Sequence, residues 1–152
     1  MNNLLRNLYE DTILDHNHHP RNFKHVPASI NRQAHGYNPL CGDEVTLYLQ
    51  VENGIIKDIG FDGHGCAIST ASASLMTETL KGKPVEFAEH LFNTMHHLLT
   101  DAQPADDLSG LGKLKVLQGV RSFPTRIKCA TLAWHTLQAA LHQKNDEIVT
   151  TE

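Results

Sequence analysis

Residues 45–62 read VTLYLQVENGIIKDIGFD, and their pattern decides the architecture. Val45, Leu47, Leu49 and Val51 alternate with Thr46, Tyr48 and Gln50, the period-two order of a strand with one face in a core and the other in water. Glu52-Asn53-Gly54 reads as a tight turn. Ile55, Ile59 and Phe61 then share one face of a second strand, so the stretch predicts an antiparallel hairpin. Downstream the period changes to that of helices. Ile68, Ala71, Leu75, Met76 and Leu80 recur at helical steps from Ala67 until Gly82, and the small residues among them suit close packing on a sheet. Pro84 fits a first helical turn, and Phe87, Leu91, Phe92, Met95 and Leu98 carry a further stripe to Thr100. An acidic loop, DAQPADD at 101–107, precedes a short helix expected over 108–117. Ile127, Ala130, Trp134, Leu137 and Leu141 form the best stripe in the chain. Upstream, Leu4, Leu5, Leu8, Tyr9 and Ile13 predict an opening amphipathic helix that ends by His16 to Pro20, and a polar, proline-containing stretch separates it from the hairpin. A hairpin followed by a run of helices predicts an α+β fold, a small antiparallel sheet with helices packed on one face.

A chain of 152 residues is the size of one domain and can bury a core without staples. One domain is expected over 1–145, with a polar tail at 146–152 that frays. Thirteen Lys and Arg against seventeen Asp and Glu leave a net charge of -4 with no basic block, which argues against nucleic acid or an anionic membrane and toward proteins or small ions as partners. No run approaches the ~20 apolar residues of a membrane span, and no secretory signal is visible. The expected setting is cytoplasmic and reducing, where an odd count of three cysteines serves as thiols and not as a disulfide framework.

Those cysteines stand in special places. Cys41 lies in Pro39-Leu40-Cys41-Gly42-Asp43, among turn formers at a loop-to-strand boundary. Cys66 closes Gly63-His64-Gly65-Cys66 just before a helix, where glycines let backbone come close to a bound group and a helix N-terminus favours a thiolate. Cys129 lies near the start of the final helix, one step off its apolar stripe, and Arg126 shares its face. A free cysteine commonly serves as a small buried hydrophobe, but three placed off the core pattern argue together for a shared site. With Asp43 as the fourth candidate, three thiolates and a carboxylate make a four-coordinate set whose soft sulfurs select zinc, copper(I) or an iron-sulfur cluster over magnesium or calcium. Arg126 and Lys128 would offset the negative charge of such a set. A hydrolytic zinc enzyme is disfavoured, since no general base or oxyanion donor set is legible.

At these places the sequence resembles the U-type iron-sulfur cluster assembly proteins, the IscU and SufU families (NifU N-terminal-like). The matching segments are DHNHHPRNF at 15–23, NPLCGDEV at 38–45, FDGHGCAISTASASLMTE at 61–78 and LQGVRSFPTRIKCATLAWHTL at 117–137. In the IscU branch a histidine and a Leu-Pro-Pro-Val-Lys motif precede the third cysteine; here Lys128 does, and the segment between Cys66 and Cys129 is longer, as in the SufU branch. The resemblance implies a SufU/IscU-like fold and a role in iron-sulfur cluster biogenesis. By that resemblance the chain would be a zinc-binding, sulfurtransferase-like acceptor that takes persulfide sulfur from a SufS-type cysteine desulfurase and relays it to other iron-sulfur assembly proteins. Cys41, Asp43, Cys66 and Cys129 would be metal ligands, with Cys41 the persulfide acceptor, Arg126 assisting and Asp43 a ligand that can be swapped in or out. The alternative is a scaffold that assembles and transfers a [2Fe-2S] cluster on the same three cysteines, with iron or the cluster in place of zinc. Lys128 favours transfer, because histidine can ligate iron and a protonated ammonium cannot. A third reading makes the metal purely structural.

Eleven histidines are many for this length, and most are expected to be exposed. His64 departs from the SufU pattern, which commonly has an acidic residue there, and is a candidate for a supporting or competing role beside Cys66.

Overall fold

The computed structural model describes residues 3–100, 111–142 and 148–150. Helix α1 (Asn3–His18) is followed by strands β1 (Arg32–Asn38), β2 (Asp43–Glu52) and β3 (Ile55–His64), then helices α2 (Ala67–Leu80) and α3 (Val85–Thr100). A 3-10 helix (Gly112–Ser122), α4 (Pro124–Leu141) and a short β4 (Ile148–Thr150) complete the order. The sheet runs β3-β2-β1-β4; its first three strands are antiparallel, and β4 lies parallel to β1. The α+β architecture is the one expected, and no helix among the described residues is long and apolar enough to cross a membrane.

The hairpin forms for the reasons its sequence suggests. Val45, Leu47 and Leu49 are buried under the helices, while Thr46, Tyr48 and Gln50 on the opposite face are half-buried. Asn53 and Gly54 both adopt left-handed backbone, φ 54° and 75°, as a two-residue hairpin turn requires. One detail differs. The register steps from Gln50↔Asp58 to Val51↔Ile56, a bulge that turns Ile56 fully into the core in the place expected for Ile55, which is half-buried.

Strand β1 lies in the stretch read as merely polar. Its inward positions are Ala34, Gly36 and Asn38, small or polar residues that alternate as faithfully as Val45, Leu47 and Leu49 of β2 but carry little hydrophobic signal. They are small because α4 crosses directly above. A Cβ at Gly36 would collide with Thr136 Oγ1 and approach Leu132 Cδ1 to 3.0 Å.

Helix α4 is the central element, buried on most sides between the sheet, α2, α3 and the 3-10 helix. Ala130, Trp134, Leu137 and Leu141 are buried as the stripe predicts, Ile127 is half-buried, and Cys129, placed off the stripe, is fully buried as well. Trp134 Nε1–H donates to Ser72 Oγ at 3.1 Å, and that hydroxyl donates to Ala130 O at 2.7 Å, so the polar atoms between α2 and α4 are satisfied. The small residues of α2, Ala71 to Ser74, are all buried, and they serve contacts with α1 and α4 more than with the sheet. In α3, Leu91, Met95 and Leu98 are buried as read.

Further expectations need correction or fall outside the described residues. The short helix expected over 108–117 is a 3-10 helix displaced to Gly112–Ser122, with Leu114, Val116, Leu117 and Val120 buried; residues 101–110, including the acidic loop and Leu108, lie outside the described residues. Within the tail expected to fray, Ile148–Thr150 pair with β1, Ile148 opposite His35 and Thr150 opposite Tyr37; β-branched residues beside an unpaired strand edge supply the reason. In α1, Tyr9 and Ile13 are buried as expected, whereas the side chains of Leu4, Leu5 and Leu8 lie outside those described. Most histidines are expected to be exposed, and His16 is an exception: it is fully buried, with Nδ1 2.7 Å from Ser74 Oγ.

Candidate metal centre

The site forms where the β1–β2 turn, the β3–α2 junction and the first turns of α4 meet. Gly42 N–H closes the β1–β2 turn onto Asn38 O at 2.8 Å, which leaves Cys41 at an exposed tip. Two residues on, Asp43 begins β2 on its inward face and is fully buried. Cys129 reaches the same point from α4. The ligand atoms of Cys41, Asp43 and Cys129 all lie within 4.8 Å of one another, the one such group among the described residues. The Cys129 thiol donates to Cys41 Sγ at 3.4 Å.

Cys66 borders this group without belonging to it. It caps α2, as its position before a helix suggested, and its Sγ accepts from Ser69 N–H at 3.4 Å. Its backbone N–H donates to Asp43 Oδ1 at 2.9 Å. Gly65 makes that approach possible, since an added Cβ would stand 2.6 Å from the same oxygen. The glycine expected to admit a bound group therefore admits the carboxylate of Asp43.

Charge follows geometry. Burial raises the Cys129 thiol far above its ordinary pKa, and the hydrogen bonds that the thiol donates to Asp43 and Cys41 and the charges of Cys66 and Asp43 add to that shift. Arg126 is exposed at the mouth; its guanidinium is held more firmly charged, first by a hydrogen bond with Cys129 and then by the charges of Cys66 and Cys129. Tyr9 on α1 lies near enough that Cys66 adds to the upward shift that burial gives its phenol. Lys128 is half-buried. His64 is turned elsewhere: its side chain is 72% exposed and pairs with Glu44 at 3.2 Å across the hairpin.

Reading the sequence missed Asn38, fully buried beneath the turn, whose Nδ2 stands 3.4 Å from Asp43 Oδ2 and 3.6 Å from Cys129 Sγ. Its one sequence signal is a carboxamide on the inward face of β1, legible only once that strand is known. The donor set fits a thiophilic divalent cation, for it combines clustered thiols, a carboxylate fixed from the far side and a neighbouring third thiol. Asp43, expected as the exchangeable ligand, is the better anchored, and Cys41 is the more accessible.

Fold and site together define a class, the small α+β domains with a cysteine and aspartate cluster at one end of the sheet. The NifU-like N terminal domain matches residues 8–150, and the chain belongs to that family. It is 41% identical over 134 residues to the zinc-dependent sulfurtransferase SufU of Bacillus subtilis, spanning 88% of this chain and 89% of that one. It is also 38% identical over 138 residues to the iron-sulfur cluster assembly scaffold protein IscU of Streptococcus pyogenes, spanning 90% and 84% respectively. Among solved structures, the SufU of Fervidobacterium islandicum, described as an assembly scaffold protein for the SUF system, superposes with a TM-score of 0.75 at 31% identity, covering 88% of this chain and 96% of that one.

Proposed function

We propose that this protein is a zinc-binding sulfur acceptor of iron-sulfur cluster biogenesis, working in the cytoplasm with a SufS-type cysteine desulfurase. The observation that carries the reading is the asymmetry of the cluster: one exposed thiol, Cys41, in contact with a buried thiol and beside a buried carboxylate. Cys41, Asp43, Cys66 and Cys129 would hold the metal. Zinc bound there would keep the thiols deprotonated near neutral pH without redox chemistry of its own.

The chain's own residues then divide the work. Cys41, at a turn tip, can leave the cluster without moving strand or helix. Its thiolate attacks the outer sulfur of the desulfurase persulfide; a new S–S bond forms on Cys41, the old one breaks, and the enzyme's cysteine departs as a thiolate, with no net change in oxidation. Asp43 and Cys129 stay behind as the fixed part of the set. Arg126, charged at the mouth, supports negative charge on the sulfurs during the exchange.

A second reading draws on the likeness to IscU: the same thiols would hold a [2Fe-2S] cluster as a scaffold. The experiment is metal analysis of the isolated protein, followed by mass spectrometry of its cysteines after incubation with desulfurase and free cysteine. A colourless protein with one zinc per chain and extra sulfur on Cys41 supports transfer. Sulfur on Cys66 or Cys129 but never on Cys41 overturns the assigned role, and a brown protein that hands an intact cluster to an acceptor supports the scaffold.

A further inference from the structure

We propose that Asn38 is a positioning residue of the metal centre, whose single carboxamide holds Asp43 and Cys129 as the fixed ligands while seating the turn that carries Cys41. The inference rests on the metal-site reading above and assigns a role to a residue that would not itself be a ligand.

Asn38 ends β1 on the inward face and is fully buried. Its Nδ2 group carries two donors, and both have a partner in the site: Asp43 Oδ2 at 3.4 Å and Cys129 Sγ at 3.6 Å. Its Oδ1 accepts from Leu40 N–H at 3.2 Å, and its backbone carbonyl accepts from Gly42 N–H at 2.8 Å. One residue thus grips the turn from inside while its amide reaches the carboxylate and the buried sulfur. A buried polar side chain costs free energy unless it is paired, and every pairing here is with the site or with the turn that presents it.

The chemistry explains why an amide suits this place. A neutral donor favours anionic sulfur and oxygen without adding a charge, and a carboxamide NH2 does not compete as a metal ligand. With Asn38 on Oδ2 and Cys66 N–H on Oδ1, Asp43 is held at both oxygens. Cys41 has no such hold from Asn38 on its sulfur, so the direction of exchange is set: Cys41 leaves while Asp43 and Cys129 remain.

The test compares the wild-type chain with Asn38→Asp, which keeps the acceptor for Leu40 N–H but removes both donors, and with Asn38→Ala. Zinc affinity, measured by chelator competition, should fall about 10–100-fold in both, the range for loss of a ligand-orienting partner. Cobalt(II) substituted for zinc should show a shifted thiolate charge-transfer band. In zinc-loaded protein, alkylation should modify Cys41 alone in the wild type and Cys41 with Cys129 in the variants. Should either variant fail to fold, the wild type still decides: the Asn38 side-chain amide protons should exchange slowly with solvent and shift on adding zinc. Variants with wild-type affinity, cobalt spectrum and labelling overturn the proposal, as do freely exchanging amide protons that zinc leaves unmoved. A wild-type chain that takes up no zinc overturns the metal-site reading and this inference with it, an outcome distinct from a zinc-loaded wild type matched by its variants.

Discussion

Replacing Asp43 by alanine would leave two buried donors, Cys66 N–H and Asn38 Nδ2–H, without the oxygens they now serve. Unpaired buried donors cost about 1–3 kcal/mol, so Asp43→Ala should lower the urea stability of the metal-free protein by that amount. Cys41→Ser changes an exposed turn tip and should stay within about 0.5 kcal/mol of wild type while losing sulfur uptake from the desulfurase, measured by mass spectrometry. His64→Ala should leave both the zinc stoichiometry and the zinc affinity unchanged, because His64 faces Glu44 and solvent. At this scale the sequence reveals residues whose chemistry is announced by local context. Cys41 among turn formers and Cys66 before a helix are legible in that way. Asn38 is not, since it acquires meaning from partners in other elements, Asp43 in β2 and Cys129 in α4; Gly65 is legible as a place of close approach, but only the fold shows that Asp43 is what approaches.

Among elements, the join between β1 and α4 is the most constrained. Gly36→Ala would set a methyl group against Thr136 Oγ1 and close to Leu132, and overpacking of this kind costs about 1–3 kcal/mol. The substitution should lower the thermal midpoint without changing the zinc stoichiometry of protein that remains folded. The same tightness explains why β1 escapes a search for hydrophobic periodicity. The strand carries small inward residues at Ala34 and Gly36 that let a helix approach, so its alternation is not one of hydropathy. The β2–β3 hairpin, whose inward positions are large and apolar, is legible apart from the bulge that substitutes Ile56 for Ile55. Helix α4 shows the opposite limit. Its stripe is correctly read, but being buried on most sides it also encloses Cys129, which the stripe alone would leave outside.

For the whole molecule, acid stability follows from two histidines held uncharged. Burial depresses the pKa of His16, with Arg21 adding to the effect and Glu78 opposing it; burial and then His96 depress that of His135. In each case the unfolded chain takes up a proton before the folded one does, so stability is lost as the pH falls below about 6.5, the ordinary histidine value, toward the lower folded values. Urea midpoints of the metal-free protein should therefore drop between neutral pH and pH 5, and His16→Gln should flatten part of that slope. On the proposed reading zinc would be held by the folded chain alone, so stripping it with a chelator should lower the thermal midpoint of the wild type. The pairing of Ile148–Thr150 with β1 has one more consequence. Those few residues cover the outer rim of a sheet whose next exposed row of amides and carbonyls would otherwise be open to a second molecule. Deleting residues 148–152 should produce concentration-dependent self-association, visible by sedimentation. The newly bared rim would run from His35 to Tyr37, ending one residue short of Asn38, so aggregation and loss of zinc should appear in the same truncated protein.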